Sequence, residues 1–174
     1  TTVAPFAATL RELDASLYCG IGDAGLVHAT NLVSLDISYN QKVTTLVPFC
    51  RTIRKLNVRD GKVDDAAVAL ATNLVILDGS SNDRITIVPL SVRELAAQGR
   101  SCGVDNDAVH SATQLMKLDV AGNEGVTSLG PCLSASLRWL SCSIGSLLEE
   151  EAKGSSCCSL VRLKAVVYDG DDDL

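Results

Sequence analysis

Residues 32–40 read Leu-Val-Ser-Leu-Asp-Ile-Ser-Tyr-Asn, a block with apolar residues at its first, fourth and sixth positions. Variants of this block recur along almost the whole chain of 174 residues. Successive blocks begin 22, 21, 21, 18, 23, 22 and 23 residues apart. A period of this length is the signature of a solenoid built from stacked repeats. The eight blocks begin at Leu10, Leu32, Ile53, Leu74, Val92, Leu115, Leu137 and Leu160.

Each block predicts one short β-strand, because alternate residues of an extended chain point to the same face. Stacking the repeats pairs these strands side by side in a parallel sheet. We therefore expect a single array over residues 1–174, with an N-terminal edge at 1–9, about eight repeats over 10–168 and an acidic tail at 169–174. Phe6 is expected to cover the edge of the first repeat.

The segments between the strands alternate in character. After even-numbered blocks the chain follows the form N-x-x-[VI]-T-x-[LV]-x-P, whose β-branched residues and proline favour an extended or short 3₁₀ segment. After odd-numbered blocks an aspartate precedes Ala, Val and Leu residues, as at Asp23, which indicates an N-cap and a short helix. The repeating unit is therefore expected to be a pair of blocks.

Three blocks match the motif L-x-x-L-x-L-x-x-N, and on this motif the chain resembles leucine-rich repeat proteins. The resemblance implies an α/β fold. It is a right-handed solenoid, or horseshoe, with a concave parallel β-sheet and outer segments that alternate between short helix and extended or 3₁₀ structure. It also implies that the asparagine side chains turn inward and bond the backbone, as structural residues. These asparagines are Asn40, Asn82 and Asn123.

Two repeat subtypes are similar to parts of the chain. The segment Ile21-Gly22-Asp23-Ala24-Gly25-Leu26 resembles the helix of cysteine-containing leucine-rich repeats, many of which select substrates for ubiquitin ligases. The even-numbered segments are similar to leucine-rich repeats common in kinetoplastid protozoa.

Charge and hydropathy exclude two classes of partner. The net charge is -6, whereas nucleic-acid readers usually carry a basic stripe, so no nucleic-acid partner is expected. No apolar run reaches the 18 or so residues of a membrane-spanning helix, so no membrane association is expected.

The seven cysteines favour an intracellular, cytoplasmic protein. Cys19 and Cys102 occupy equivalent positions four repeats apart, as do Cys50 and Cys132. Strand stacking places such pairs about 20 Å apart, whereas a disulfide requires Cα atoms within about 7 Å. Reduced core cysteines are therefore expected. Neither a metal nor a cofactor is expected, because the cysteine and histidine spacings match no common ligand motif.

The strand residues between the leucines are expected to face the concave surface. The column after the second leucine is acidic, and flanked by small hydroxyls it suits a basic peptide; a solvated face is the alternative. Trp139, the only tryptophan, is the candidate interface anchor, with packing against the array edge as its alternative. The candidate binding residues are Asp14, Asp36, Asn57, Asp78, Asp119, Lys55, Arg59, Lys117, Trp139 and Arg162.

The function expected from these features is that of a non-catalytic module that binds a protein or peptide on its concave face. His28 and His110 lie about 20 Å apart by repeat position, so they cannot share one catalytic site. No nucleophile motif, phosphate loop or paired metal motif accompanies them. The alternatives are the substrate-recognition part of a ubiquitin ligase and a regulator that wraps a partner enzyme. The sequence leaves the oligomeric state open.

Overall fold

The computed structural model describes residues 2–130, 136–143, 145–153 and 160–167. Eight parallel strands form one sheet in the order β1 to β8, so each strand pairs only with its neighbours in the sequence. The fold predicted from the repeats is confirmed. The strands are β1 (Glu12–Asp14), β2 (Ser34–Asp36), β3 (Lys55–Asn57), β4 (Ile76–Asp78), β5 (Glu94–Ala96), β6 (Lys117–Asp119), β7 (Trp139–Ser143) and β8 (Arg162–Val166).

The second leucine of each block sets the register of the sheet. Leu35 on β2 pairs with Leu13 on β1 and Leu56 on β3, and the same row continues to Leu163 on β8. The row is buried from Leu35 to Leu140. Burial of such side chains contributes about 1.5–3 kcal/mol each, so this leucine column holds neighbouring repeats together.

The outer segments alternate as predicted from β1 to β5, whereas after β6 the described residues Gly130 and Ser136 are helical. Short helices follow the odd-numbered strands: α1 (Asp23–Leu26), α2 (Asp65–Ala69), α3 (Asn106–Ser111) and α4 (Leu147–Lys153). A 3₁₀ turn, Val47–Phe49, follows β2, and residues 83–91 after β4 form no helix. Residues 131–135 after β6 lie outside the described part of the chain, as does the acidic tail.

A buried asparagine in each of the second, fourth and sixth repeats holds that repeat against the one before it. The Nδ2 of Asn82 donates to the carbonyls of Val58 and Val63, at 3.1 and 3.2 Å, and its Oδ1 accepts from the Arg84 amide. Asn40 and Asn123 make the equivalent bonds one pair of repeats away on either side. All three side chains are buried, so these bonds satisfy backbone carbonyls that water cannot reach.

A second set of bonds joins each of the helices α1, α2 and α3 to the repeat that follows it. The Asp65 carboxylate accepts from the Thr86 amide, the Thr86 hydroxyl and the Ile87 amide, at 2.7, 2.6 and 3.1 Å. Asp23 accepts in the same way from Thr44 and Thr45, and Asn106 pairs with Thr127 and Ser128. These bonds explain why threonine recurs in the extended segments.

The predicted N-caps are present in two of the three helices. Asp64 and Asp105 cap α2 and α3 by accepting from the amides of Ala67 and Ala108. Asp23, in contrast, is the first residue inside α1, and Gly22 occupies its N-cap position. The interpretation of Asp23 as an N-cap was therefore wrong, because its carboxylate bonds the next repeat instead of its own helix.

The first repeat is covered by Val3, and Phe6 does not cover it. Val3 is buried and its amide donates to the Gly25 carbonyl at 3.1 Å. Phe6 lies in the 3₁₀ turn Ala4–Phe6 and is 63% exposed. Phe6 points into solvent because the turn that brings Val3 onto the array directs the next aromatic side chain outward.

At the end of each of the strands β1 to β6 the chain bends through a residue in the left-handed region. Gly99 and Gly122 occupy this position in the fifth and sixth repeats. Non-glycine residues occupy it in the first four: Leu17, Tyr39, Asp60 and Ser81, with φ of 57, 59, 46 and 52°. The left-handed region costs L-residues about 1–2 kcal/mol, so stacking holds these four turns against their local preference.

Candidate functional site: the concave face

The strands present two columns of side chains to an open groove of about 630 Å³. The outer column lies one residue before the second leucine of each block, and the inner column one residue after it. Both columns contribute to the groove from β1 to β6, and Trp139 closes it on β7. Asp14, Asp36, Asn57, Asp78, Asp119, Lys55, Lys117 and Trp139 all line it, whereas Arg59 and Arg162 do not.

Four side chains of the inner column also form hydrogen bonds that stabilise the fold. The side-chain oxygens of Asp14, Asp36, Asp78 and Asp119 each accept a bond from the backbone amide two residues further on. Such bonds stabilise the turn that ends the strand. Bonds from Ser16 lower the pKa of Asp14, so this carboxylate stays ionised at neutral pH. The acidic column is therefore both a structural device and a source of negative potential.

The carboxylate oxygens differ in how open they are. Asp36 accepts from the Asn57 amide at 3.0 Å through its second oxygen, in addition to its bonds with Ser38. Asp78 and Asp119 have no second bonding partner among the described residues. These two carboxylates flank Ala96 on the intervening strand, and its small side chain leaves the groove floor open between them.

A charged pair and an aromatic ring are joined in the outer column. The Lys117 ammonium lies 3.6 Å from the Glu94 carboxylate and 5.1 Å from the centre of the Trp139 ring. Both contacts cross neighbouring strands, as cross-strand pairs do. A cation over a tryptophan face is stabilised by about 0.5–1 kcal/mol at exposed sites. Trp139 is therefore positioned in the groove wall with its ring half-exposed.

The next column along the strands does not reach the groove. Ser38, Ser80 and Ala121 are buried, and the Nε atom of Arg59 is buried without a hydrogen-bond partner. The chain bends away from the concave face at this point, which turns these side chains inward. The predicted role of Arg59 on the open surface therefore has no support in its position.

Charge is distributed unevenly along the groove. On β1 to β5 the two columns carry five carboxylates, Glu12, Asp14, Asp36, Asp78 and Glu94, against the single ammonium of Lys55. On β8 the same columns carry Arg162 and Lys164, both exposed. The concave face is thus acidic over five strands and basic at its C-terminal end.

Of the seven cysteines, the structure describes Cys19, Cys50, Cys102 and Cys142, and it buries the thiols of the last two. Burial raises the pKa of the Cys102 thiol to about 11 and also raises the pKa of Cys142. Both thiols therefore stay protonated and unreactive at neutral pH. Cys19 differs from the buried cysteines that we expected, because it is exposed.

His110 packs beside Gly130, and its Nε2 lies 2.9 Å from the Ser128 carbonyl. His28 lies just beyond α1 and is exposed. Within the described ranges, no group of three or more histidine, cysteine or acidic side chains is arranged to hold a metal.

One surface feature was missed by the reading of the sequence. The residue after the first apolar position of each block forms a further row along the start of the strands. It carries arginine in every odd-numbered block and valine or methionine in every even-numbered block. The signal was present in the printed sequence, but the position adjoins a core leucine and is easily read as part of the scaffold. The row comprises Arg11, Val33, Arg54, Val75, Arg93, Met116, Arg138 and Val161.

Comparison with known proteins supports the same fold. A family model described as a leucine-rich repeat matches residues 28–45. The structure is similar to an internalin (inlF) of Listeria monocytogenes, with a TM-score of 0.63 and 22% identity over 96% of this chain and 51% of that chain. It is also similar to internalin C2 (inlC2) of the same organism, with a TM-score of 0.59 and 21% identity over 94% and 76% of the two chains. Curated protein sequences gave no match.

The chain has the fold of a leucine-rich repeat solenoid. It spans about half the length of the internalin inlF chain that it resembles. Stacked repeats of this kind create an extended concave surface. Within the described part of the chain, no helix is long and apolar enough to cross a membrane.

Proposed function

We propose that the chain is a non-catalytic interaction module that binds a protein or peptide segment on its concave face. The groove between β1 and β7 carries this proposal, because it combines exposed carboxylates with a half-exposed tryptophan. Aromatic residues are enriched among the side chains that dominate interface energetics. The groove spans about six strand spacings, or roughly 29 Å, which matches an extended segment of about 9 residues.

The acidic floor favours a partner segment with basic side chains. A basic side chain can approach Asp78 and Asp119 over Ala96 without displacing an existing bond of either second oxygen. Trp139 is then the anchor at the end of the groove. The solvated-face interpretation of the acidic column remains the alternative, since four of its carboxylates also stabilise the strand ends.

The proposal is testable by unbiased selection of peptide binders from a display library, followed by affinity measurements with variants. We expect Trp139→Ala to weaken selected binders by about 30-fold or more, since hot-spot side chains contribute about 2 kcal/mol or more. Asp78→Lys should also weaken binders that carry basic residues. The matched controls are Tyr18→Ala, which removes an exposed aromatic residue outside the groove, and Asp107→Lys on the outer helix α3.

Binders that respond only to the control substitutions would contradict a concave binding face, as would a selection that enriches no peptide. Thermal melting of each variant separates loss of binding from loss of folding.

The wider biological role stays a hypothesis. Substrate selection for a ubiquitin ligase and regulation of an enzyme are both compatible with a concave interaction module. The intracellular, cytoplasmic location predicted from the cysteines, the absence of a nucleic-acid partner and the kinetoplastid-type subtype are likewise predictions.

A further inference from the structure

The row at the start of the strands alternates between arginine and an apolar residue without exception over eight repeats. Neither the asparagine bonds nor the aspartate–threonine bonds use these side chains, so the scaffold gives no reason for the alternation. The row lies one residue before the outer column of the groove and therefore forms the rim of the concave face.

Backbone hydrogen bonds fix the spacing of this row. The amide of Val33 donates to the carbonyl of Arg11, the amide of Arg54 donates to that of Val33, and the amide of Val75 donates to that of Arg54, at 2.7–2.8 Å. The same bond repeats through Arg93, Met116 and Arg138 to Val161. The row is thus an extension of the parallel sheet. Its neighbours lie about 4.8 Å apart and successive arginines about 9.6 Å apart.

The first three arginines of the row are exposed, and no carboxylate of the described residues forms an ion pair with them. Arg54 and Arg93 have no ion-pair partner within the described ranges, and Arg11 donates only to the Asn31 carbonyl, at 3.3 Å. Between them, Val33 and Val75 are half-buried and Met116 is 42% exposed. Arg11, Arg54 and Arg93 thus form a row of positive charge in a chain with a net charge of -6.

We propose that this rim is a docking edge for an acidic amphipathic helix of a partner protein. A helix presents one residue per turn of 5.4 Å to a surface, close to the 4.8 Å step of the row. Carboxylates seven residues apart, about 10.5 Å along the helix, meet successive arginines, and apolar residues between them meet the valines and Met116. An extended strand presents same-face residues about 6.7 Å apart and loses register after one or two steps.

The apolar members of the row favour a protein helix over a nucleic acid. Phosphates of one strand repeat at intervals much shorter than 9.6 Å and offer no apolar group to Val33, Val75 or Met116. Glu12 and Glu94 directly follow Arg11 and Arg93 in the strands, so they disfavour a polyanion. An amphipathic helix supplies the apolar groups and carries fewer negative charges per unit length than a nucleic acid. The inference rests on the proposed function as a protein-binding module and adds a second partner surface, the arginine rim, beside the acidic groove.

The test uses two helical peptides of about 20 residues, the length that spans the row from Arg11 to Arg138. One carries glutamates at i, i+7 and i+14 with leucines at i+4 and i+11, so that both share one face. The other has the same composition with its glutamates moved to a different face from its leucines. We expect the first peptide to bind about tenfold more tightly by fluorescence anisotropy, and binding to weaken as salt is raised.

Paired variants locate the binding edge. Arg54→Gln with Arg93→Gln should weaken binding of the first peptide by about fivefold or more. The control pair, Lys42→Gln with Arg84→Gln, removes the same charge from two exposed residues on the outer segments. Each lies two residues after a buried asparagine, and the pair should change affinity by less than about twofold. Arg54→Lys with Arg93→Lys keeps the charge and should retain most of the binding.

Equal affinity for the two peptides, or equal effects of the two Gln pairs, would overturn the docking edge. Binding of a single-stranded oligonucleotide that depends on Arg54 and Arg93, without peptide binding, would instead identify a nucleic-acid edge. If the peptide fails while library-selected binders still respond to Trp139→Ala, the rim inference is wrong and the proposed concave function stands.

Discussion

At the scale of single residues, the buried asparagines contribute most to the shape of the molecule. Asn82 is 1% exposed and makes three hydrogen bonds, two of which link its repeat to the one before. Its replacement removes the partner of the Val63 carbonyl and of the Arg84 amide, and leaves the Val58 carbonyl with only its bond from the Gly61 amide. An unsatisfied buried polar group costs about 1–3 kcal/mol, which is a large share of the stability of any domain.

We therefore predict that Asn82→Ala lowers the free energy of unfolding by about 2–4 kcal/mol, measured by urea denaturation. Asn73→Ala is the matched control. The Asn73 amide makes a single exposed bond to the Arg51 carbonyl, and its loss should cost less than about 1 kcal/mol. A similar cost for both substitutions would show that the buried bonds have no special weight.

At the scale of elements, the aspartate–threonine bonds make a pair of repeats the structural unit. The first residue of each of the helices α1, α2 and α3 bonds the extended segment of the following repeat through its side chain. The sequence allowed the alternation of helix and extended segment to be predicted from Asp, Thr and Pro. It did not show that Asp65 and Thr86, 21 residues apart, bond each other, because a local motif places aspartate at its own helix start.

A double-mutant cycle tests this coupling. Asp65→Ala and Thr86→Val each remove one side of the bond, so the loss of stability in the double variant should fall short of the sum by at least about 0.5 kcal/mol. Asp65→Ala combined with Thr44→Val provides the control. Thr44 bonds Asp23, which lies two repeats from Asp65, so the losses of stability from Asp65→Ala and Thr44→Val should add. Additivity in both pairs would mean that the Asp65–Thr86 bond contributes nothing to stability.

The same comparison of sequence and structure applies to the candidate site. Alternation along the strands correctly placed Asp78, Lys117 and Trp139 on the groove, since the side-chain period of a strand is fixed. It failed for Arg59 because the bend after each strand depends on left-handed residues. In the sequence only the glycines Gly99 and Gly122 indicate the bend, whereas Leu17 and Tyr39 adopt the same left-handed backbone conformation against their own preference.

At the scale of the whole molecule, each repeat contacts only its neighbours in the stack. The described sheet has no pair of strands distant in sequence, so it offers no direct route by which a local loss reaches the far end. Stability in such an array is approximately a sum of repeat terms and nearest-neighbour terms. Its ends differ from its middle: Val3 covers one end, whereas Val161 and Val167 beside β8 are 82% and 69% exposed.

We predict that replacing one of the buried asparagines Asn40 and Asn82 loosens the array near that residue and not along its whole length. In native-state hydrogen exchange, Asn82→Ala should accelerate the amides of Arg54, Val75 and Arg93 by about tenfold or more, with a smaller change at Val33. Asn40→Ala is the matched variant, and because its bonds reach Ala15 and Ile21 it should accelerate Val33 more than Arg93. If both variants accelerate all four amides equally, the chain unfolds as one cooperative unit, and the nearest-neighbour description of this solenoid is wrong.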